Sequence, residues 1–299
     1  IFTKENPLLF GEYRRRFDHA QIQLNSSATY SDTQDDLQGH LFGEGVWEID
    51  ERLRAGFRTQ LTTDDRYLRR YDISTDNILE NELYVERFDD RDYQSVRAIA
   101  FQDIRTSDRS ADQPNILPEF IARFFGDPNG LMGGRWDITA SLLDVLRKGN
   151  GQDVLRTSLG GGWQRRDITD FGLVNQLSVH ARADAYHISD RDEVSIVGGD
   201  GGAHAFRFYP VIQDEVSYPM VQNNGTYQIT IEPKVSITAS TRTKNDTDVP
   251  NEDSQDVQID SLNIFDENRF PGIDRVEDKS HVTYGLRTGI HQDDGSMGE

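Results

Sequence analysis

The sequence predicts an all-β protein: the wall of an antiparallel transmembrane β-barrel. Three observations predict it. Hydrophobicity alternates with a period of two through most of the chain. The alternating runs outlast the roughly 5–6 residues of an ordinary soluble strand. The connections tend to alternate between short and long, the habit of outer-membrane barrels.

Taken in order, the strands centre on residues 8–17 and 20–30. In the second, Ile22, Leu24, Ala28 and Tyr30 alternate with Gln21, Gln23, Asn25 and Thr29. Strands at 40–49 and 53–61 follow, the latter with Leu53, Ala55, Phe57 and Leu61 on one parity. Residues 79–88, 93–103 and 116–125 come next; Ile116, Pro118, Phe120, Ala122 and Phe124 share a face in the last. Residues 135–146 and 153–166 follow, and Ser141–Lys148 is the nearest approach to an amphipathic helix in the chain. In 172–188, Leu173, Leu177, Val179, Ala181, Ala183 and Ala185 oppose Gln176, Ser178, His180, Arg182 and Asp184. After 204–219, the clearest run is Tyr227–Ser240. Its odd positions are Tyr227, Ile229, Ile231, Pro233, Val235, Ile237 and Ala239, and every even position is polar. Successive strand side chains point to opposite faces, so this run is one strand about 45 Å long at roughly 3.3 Å per residue. Tilted by about 40°, it covers a bilayer. A last strand at 279–290 brings the count to about thirteen. Short connections fall at 17–19, 50–52, 89–92, 167–171 and 222–225, and long ones at 31–39, 62–78, 104–115, 189–202 and 241–278. The hairpins around 127–134 and 147–152 blur the rule. A soluble sheet or sandwich also alternates, but strand length, strand number and loop asymmetry favour the membrane wall.

Composition narrows the function. The 299 residues carry 32 Lys and Arg against 52 Asp and Glu, a net charge of −20. That excludes nonspecific nucleic-acid binding, which needs basic residues to displace phosphate counterions. No stretch approaches the roughly 18 apolar residues of a membrane helix. There is no cysteine, so neither a disulfide scaffold nor a thiolate metal site is available here. Apolar residues make up only 35%, low for a large soluble core, yet 15 Phe, 11 Tyr and 3 Trp are too many for a solvated coil. The chain opens at Ile1 without an initiator methionine or signal-like segment, and it is read as an internal fragment.

Chemistry-bearing motifs are sparse. The seven histidines, at 19, 40, 180, 187, 204, 281 and 291, show no metal spacing on a helix. Gly198-Gly199-Asp200-Gly201-Gly202 lacks the lysine of a phosphate loop and the tandem repeats of a calcium β-roll, and is read as a flexible loop. Asp246, Asp248, Asp253 and Asp256 share one long connection; such carboxylates can hold a hard cation but are more often solvated charge. No catalytic residue, metal or cofactor is expected.

One motif is distinctive. The segment Asn263-Ile264-Phe265-Asp266-Glu267-Asn268-Arg269-Phe270-Pro271-Gly272-Ile273-Asp274-Arg275-Val276-Glu277-Asp278, followed by Val282-Thr283-Tyr284-Gly285-Leu286, resembles a stretch of the LptD family, the lipopolysaccharide-assembly proteins of the Gram-negative outer membrane. Gly11-Glu12-Tyr13-Arg14, Asp65-Arg66-Tyr67-Leu68-Arg69-Arg70-Tyr71, Leu117-Pro118-Glu119 and Ile231-Glu232-Pro233 are similar to the same family in the same order. Lys279 departs from the glycine that usually follows the motif.

The resemblance implies that residues 1–299 are part of one barrel translocon domain of roughly 26 strands, an incomplete wall forming an open curved sheet of about half that large barrel. The periplasmic jellyroll and the gate strands of the family lie outside it. It implies transport without covalent chemistry: lipopolysaccharide enters the outer leaflet while its sugar chain passes the polar lumen. The implied partners are lipopolysaccharide, an LptE-like lipoprotein plug, a periplasmic Lpt bridge reached through the jellyroll, and the barrel-assembly machinery during biogenesis. A passive outer-membrane porin or a soluble β-sheet binding protein is the alternative. On the polar parity, Arg182, Asp184, Thr230, Lys234, Ser236 and Thr238 are expected to face the lumen. Arg182 and Lys234 there balance wall carboxylates rather than grip substrate. Asn268, Arg269, Phe270, Pro271, Gly272, Asp274 and Arg275 are expected to fix a structural loop, with Asp274 and Arg275 pairing nearby and the loop folding into the lumen.

Overall fold

The computed structural model describes residues 8–31, 35–105, 113–147, 152–189, 202–223, 225–242, 245, 249–292 and 297–298. They form a single antiparallel sheet with very little helix. The strands are β1 (Leu9–Arg16), β2 (Ala20–Ser31), β3 (Asp36–Glu48), β4 (Leu53–Thr62), β5 (Ile78–Asp89), β6 (Asp92–Asp103), β7 (Asn115–Phe125), β8 (Arg135–Leu146), β9 (Asp153–Ile168), β10 (Val174–Ser189), β11 (Gly202–Ser217), β12 (Met220–Asn223), β13 (Tyr227–Ser240), β14 (His281–Gln292) and β15 (Met297–Gly298). Each pairs with its neighbour in sequence, except that β11 and β12 both pair with β13. Among the described residues no ladder joins β1 to β14 or β15, so the sheet is open.

All thirteen expected strands are present, and the departures are local. β3 begins at Asp36, paired with Ser31, so the long connection expected over 31–39 is shortened by the residues that join the strands. Leu37, Gln38 and Gly39 continue the ladder opposite Tyr30, Thr29 and Ala28. Gln38 and His40 are buried there, so polar residues extend a strand whose polar side is the covered one. Two strands were not foreseen, β12 and β15, of four and two residues; neither is long enough to show a period. Ser141–Leu146 is strand, as expected for 135–146, and Lys148 lies outside the described residues.

Pro233 lies inside β13, where a missing N–H would normally break a ladder. β11 pairs with β13 down to Ser217↔Lys234, and β12 takes over at Met220↔Ile231. Pro233 faces the gap between them, and its carbonyl accepts from Tyr218 N at 3.1 Å. Between β6 and β7 a register shift separates Arg97↔Glu119 from Ile99↔Ile116, and the cis Leu117–Pro118 peptide occupies it.

The chain divides into two compact units. The first comprises Ile1–Phe124, Ala140–Thr157 and Tyr186–His204. Its core lies under a one-turn helix, α1 (Tyr67–Arg70), in the long connection after β4. Asp64 starts the turn by accepting from Arg66 N at 2.9 Å. Tyr67, Leu68, Leu79 and Ile104 are fully buried together. The helix sits on polar strand residues: Ser27 Oγ is 2.7 Å from Tyr67 Oη and 2.6 Å from His40 Nδ1, and His40 Nε2 is 3.0 Å from Asn25 Oδ1. Arg70 donates to Gln38 at 3.1 Å. The second unit comprises Phe125–Thr139, Ser158–Ala185 and Ala205–Glu299. There the long connection after β13 covers the wall, and Val276 is buried against Tyr209 and Val211.

Candidate functional site: a docked connection on a polar wall

On β13 the two parities differ sharply. Val235 and Ile237 are 46% and 56% exposed, whereas Ser236 and Thr238 are 0% and 1%. Ile231 is also exposed, and Ile229 is half-buried. β10 repeats the inversion: Ser178 and Asp184 are buried and Val179 is exposed. A soluble sheet would bury the apolar face to remove it from water. Here the apolar face is bare and the polar face is covered.

The cover over this part of the wall is residues 249–278, which contain the distinctive motif. Its polar side chains bond mostly to backbone. Asp253 and Asp274 form a reciprocal clasp. Asp253 Oδ1 accepts from Ile273 N and Asp274 N at 2.9 and 3.1 Å. Asp274 Oδ2 accepts from Glu252 N and Asp253 N at 2.7 and 3.1 Å. Gly272 sits in the clasp with φ +77°, and a Cβ there would run into Asp253. Ser254 Oγ accepts from Arg275 N at 3.0 Å. Asn245 brackets Val276, accepting from its N–H at 2.9 Å and donating to its carbonyl at 2.8 Å. Asn268 Oδ1 accepts from Glu277 N at 2.9 Å and its amide donates to Phe270 O at 3.2 Å. Arg269 pairs with Glu277 at 2.7 Å.

The wall holds this cover by three sets of contacts. First, Arg207 on β11, almost fully buried, donates to Asp184 Oδ2 at 2.7 Å and to the carbonyls of Ile273 and Asp274 at 2.6 Å each. Arg182 adds a bond to Ile273 O at 2.6 Å and an ion pair with Asp184 at 3.0 Å. A buried cation is tolerable only when paired and hydrogen-bonded, and Asp184 with two carbonyls supplies this. Second, Glu267 bonds His180 Nδ1 at 2.6 Å and accepts from Ser178 Oγ. Burial raises the pKa of Glu267, but the bonds from His180 and Ser178 outweigh it and hold the carboxyl below its usual range. Asp137 lies 3.6 Å from the other nitrogen of His180, so the ring stands between two carboxylates. Third, Gln213 bridges Thr238 and Phe265 O at 2.8 and 3.0 Å. Lys234 pairs with Glu215 at 2.9 Å and lies over the Phe265 ring. A groove of about 1000 Å³ remains between Lys234, Glu215, Phe265, Asn268, Tyr284 and Arg287.

Of the residues expected on the polar face, Asp184, Ser236 and Thr238 are buried there, and Arg182, Thr230 and Lys234 are half-buried. Arg182 and Lys234 each pair with a wall carboxylate. The seven motif residues come together in one connection. Within it, the Asp274 carboxylate bonds backbone N–H groups. Arg207 and Asn245 were not singled out by sequence, and Glu267, His180 and Asp253, read there as a motif residue, a polar-face residue and part of an acidic connection, were not given these partners, which lie tens of residues away. Asp246, Asp248 and the glycines at 198–201 lie outside the described residues.

The family model described as LptD, LPS transport system D, matches residues 19–297. The chain belongs to the LptD family. No curated protein matches it in sequence. LptD membership places the chain in lipopolysaccharide transport to the outer membrane. The all-β open sheet agrees with a partial LptD-type barrel. Among the described residues no helix is long and apolar enough to cross a membrane, which says nothing of crossing by strands. In this LptD-family chain the distinctive motif is the element that docks on the wall.

Proposed function

We propose that the chain is part of an outer-membrane translocon that inserts lipopolysaccharide into the outer leaflet of a Gram-negative bacterium. The observation that carries this reading is the inversion on β13, with Val235 and Ile237 bare and Ser236 and Thr238 covered. An apolar face without protein cover is stable against hydrocarbon, where the ladders between neighbouring strands pair the backbone groups inside the sheet. The polar face, with Arg182, Asp184, Thr230, Lys234, Ser236 and Thr238, then lines the lumen that the sugar chain crosses. The motif Asn268, Arg269, Phe270, Pro271, Gly272, Asp274 and Arg275 serves as a structural loop inside that lumen. The work is transport, with binding and release in place of covalent chemistry. An LptE-like plug, the periplasmic Lpt bridge and the barrel-assembly machinery are the partners this role calls for. A connection docked across the polar face counts against an open passive pore.

The absence of cysteine makes the test clean. Lys234→Cys, beside the groove, is expected to react with a water-soluble maleimide in outer-membrane vesicles. Val235→Cys and Ile237→Cys are expected to resist it and to be quenched by lipid-borne nitroxide. A photo-crosslinker at position 234 should capture lipopolysaccharide during transport. Maleimide labelling at 235 and 237 with protection at 234 would sink the proposal.

A further inference from the structure

Two histidines 17 positions apart in sequence meet across β10 and β11. Their Nδ1 atoms are 3.3 Å apart, with ring centroids 4.6 Å apart and planes at 28°. Both side chains are exposed. As a hydrogen bond the contact is weak, because N–H donors bond best at about 2.9–3.0 Å. The separation fits another geometry. Zinc binds imidazole nitrogen at about 2.0–2.1 Å with tetrahedral angles, which sets two ligating nitrogens roughly 3.3–3.4 Å apart.

We propose that His187 and His204 form a site for a divalent transition-metal ion of the zinc class. Imidazole nitrogen suits Zn²⁺, Cu²⁺ and Ni²⁺, whereas Ca²⁺ and Mg²⁺ prefer oxygen. The neighbouring strands fix the two Cα positions through the sheet. Only the rings must turn about their Cβ–Cγ bonds to aim both lone pairs at one point, and exposed rings are free to do so. Two histidines leave two coordination positions to water or an anionic group. Among the described residues no group of three or more His, Asp or Glu converges, so this is a two-ligand site of modest affinity. Other histidines are engaged elsewhere: His40 with Ser27 and Asn25, His180 with Glu267. The site does not depend on the transport reading.

The test titrates the full chain in detergent with Zn²⁺ by calorimetry and with Co²⁺ by visible absorption. One Zn²⁺ per chain is expected, with the intense absorption of tetrahedral Co²⁺. His187→Asn and His204→Asn should each lose it, while His19→Asn, a distant exposed control, should keep it. The asparagine variants retain a polar, hydrogen-bonding side chain, and circular dichroism verifies that the sheet is intact. No zinc binding by the native chain, or unchanged stoichiometry in the double variant, would overturn the site.

Discussion

Gly272 shows how one residue sets a docking geometry. Its φ of +77° favours glycine, and its missing Cβ leaves room for the Asp253 carbonyl and carboxylate. Gly272→Ala is therefore expected to weaken the clasp by about 1–3 kcal/mol, measured as faster hydrogen exchange at 252–254 and 273–276. Unchanged exchange would mean the clasp tolerates a side chain. Arg207 makes a second case. Arg207→Met leaves the buried Asp184 carboxylate with Arg182 as its remaining cation and is expected to cost up to about 3–5 kcal/mol. Adding Asp184→Leu removes the underpaired carboxylate and should restore part of the thermal stability, Arg182 losing its own partner in the exchange. It should not restore protection of residues 249–278, because the carbonyls of Ile273 and Asp274 still lack the Arg207 donor. Full recovery of both would show that the ion pair, rather than its reach to the loop, is what matters.

At the scale of the element, the docked connection is held by a carboxylate with a definite sign of pH response. Glu267 lies below its usual value of 4.5. Its contribution is complete above that pH and falls away as pH drops through the lowered value. Protection of residues 263–278 against hydrogen exchange, relative to the intrinsic rate at each pH, should hold from pH 7 to about 5 and fall on further acidification. Glu267→Gln should remove that acid dependence while exchanging faster at pH 7; an unshifted profile would assign the transition to another group. β13 offers the matching test of the wall. Ile237→Lys, on the bare face, is expected to destabilise the membrane-inserted sheet by about 2–4 kcal/mol if it lies near the bilayer midplane. Urea titration in lipid vesicles measures this, and a neutral result would place the residue in water.

For the whole molecule the open sheet is the governing feature. β1 is exposed along its entire length, and one of its edges carries no ladder among the described residues. An unpaired strand edge templates pairing with another chain. The chain on its own in detergent is therefore expected to self-associate, and sedimentation should detect species larger than a monomer. A monodisperse monomer would mean that the edge is protected in a way the sheet order does not reveal.

The strands were legible in the sequence because side-chain period is a local property. Alternation in Tyr227–Ser240 shows in fourteen consecutive residues, and no distant partner is needed to see it. The motif was legible too, because it is a run of adjacent residues in which Pro271 restricts the backbone and Gly272 permits a positive φ. The start of β3 was obscured because Asp36 and Gln38 resemble loop residues, although Gln38 is buried on the covered side of the strand. What only the tertiary structure decided is which groups share a space. Arg207 reaches Ile273 across 66 positions, Glu267 reaches His180 across 87, and His187 meets His204 across 17. Strand register and the path of one long connection set those meetings. Hydrogen bonds and ion pairs act over a few ångströms of space, and a linear sequence does not record that distance.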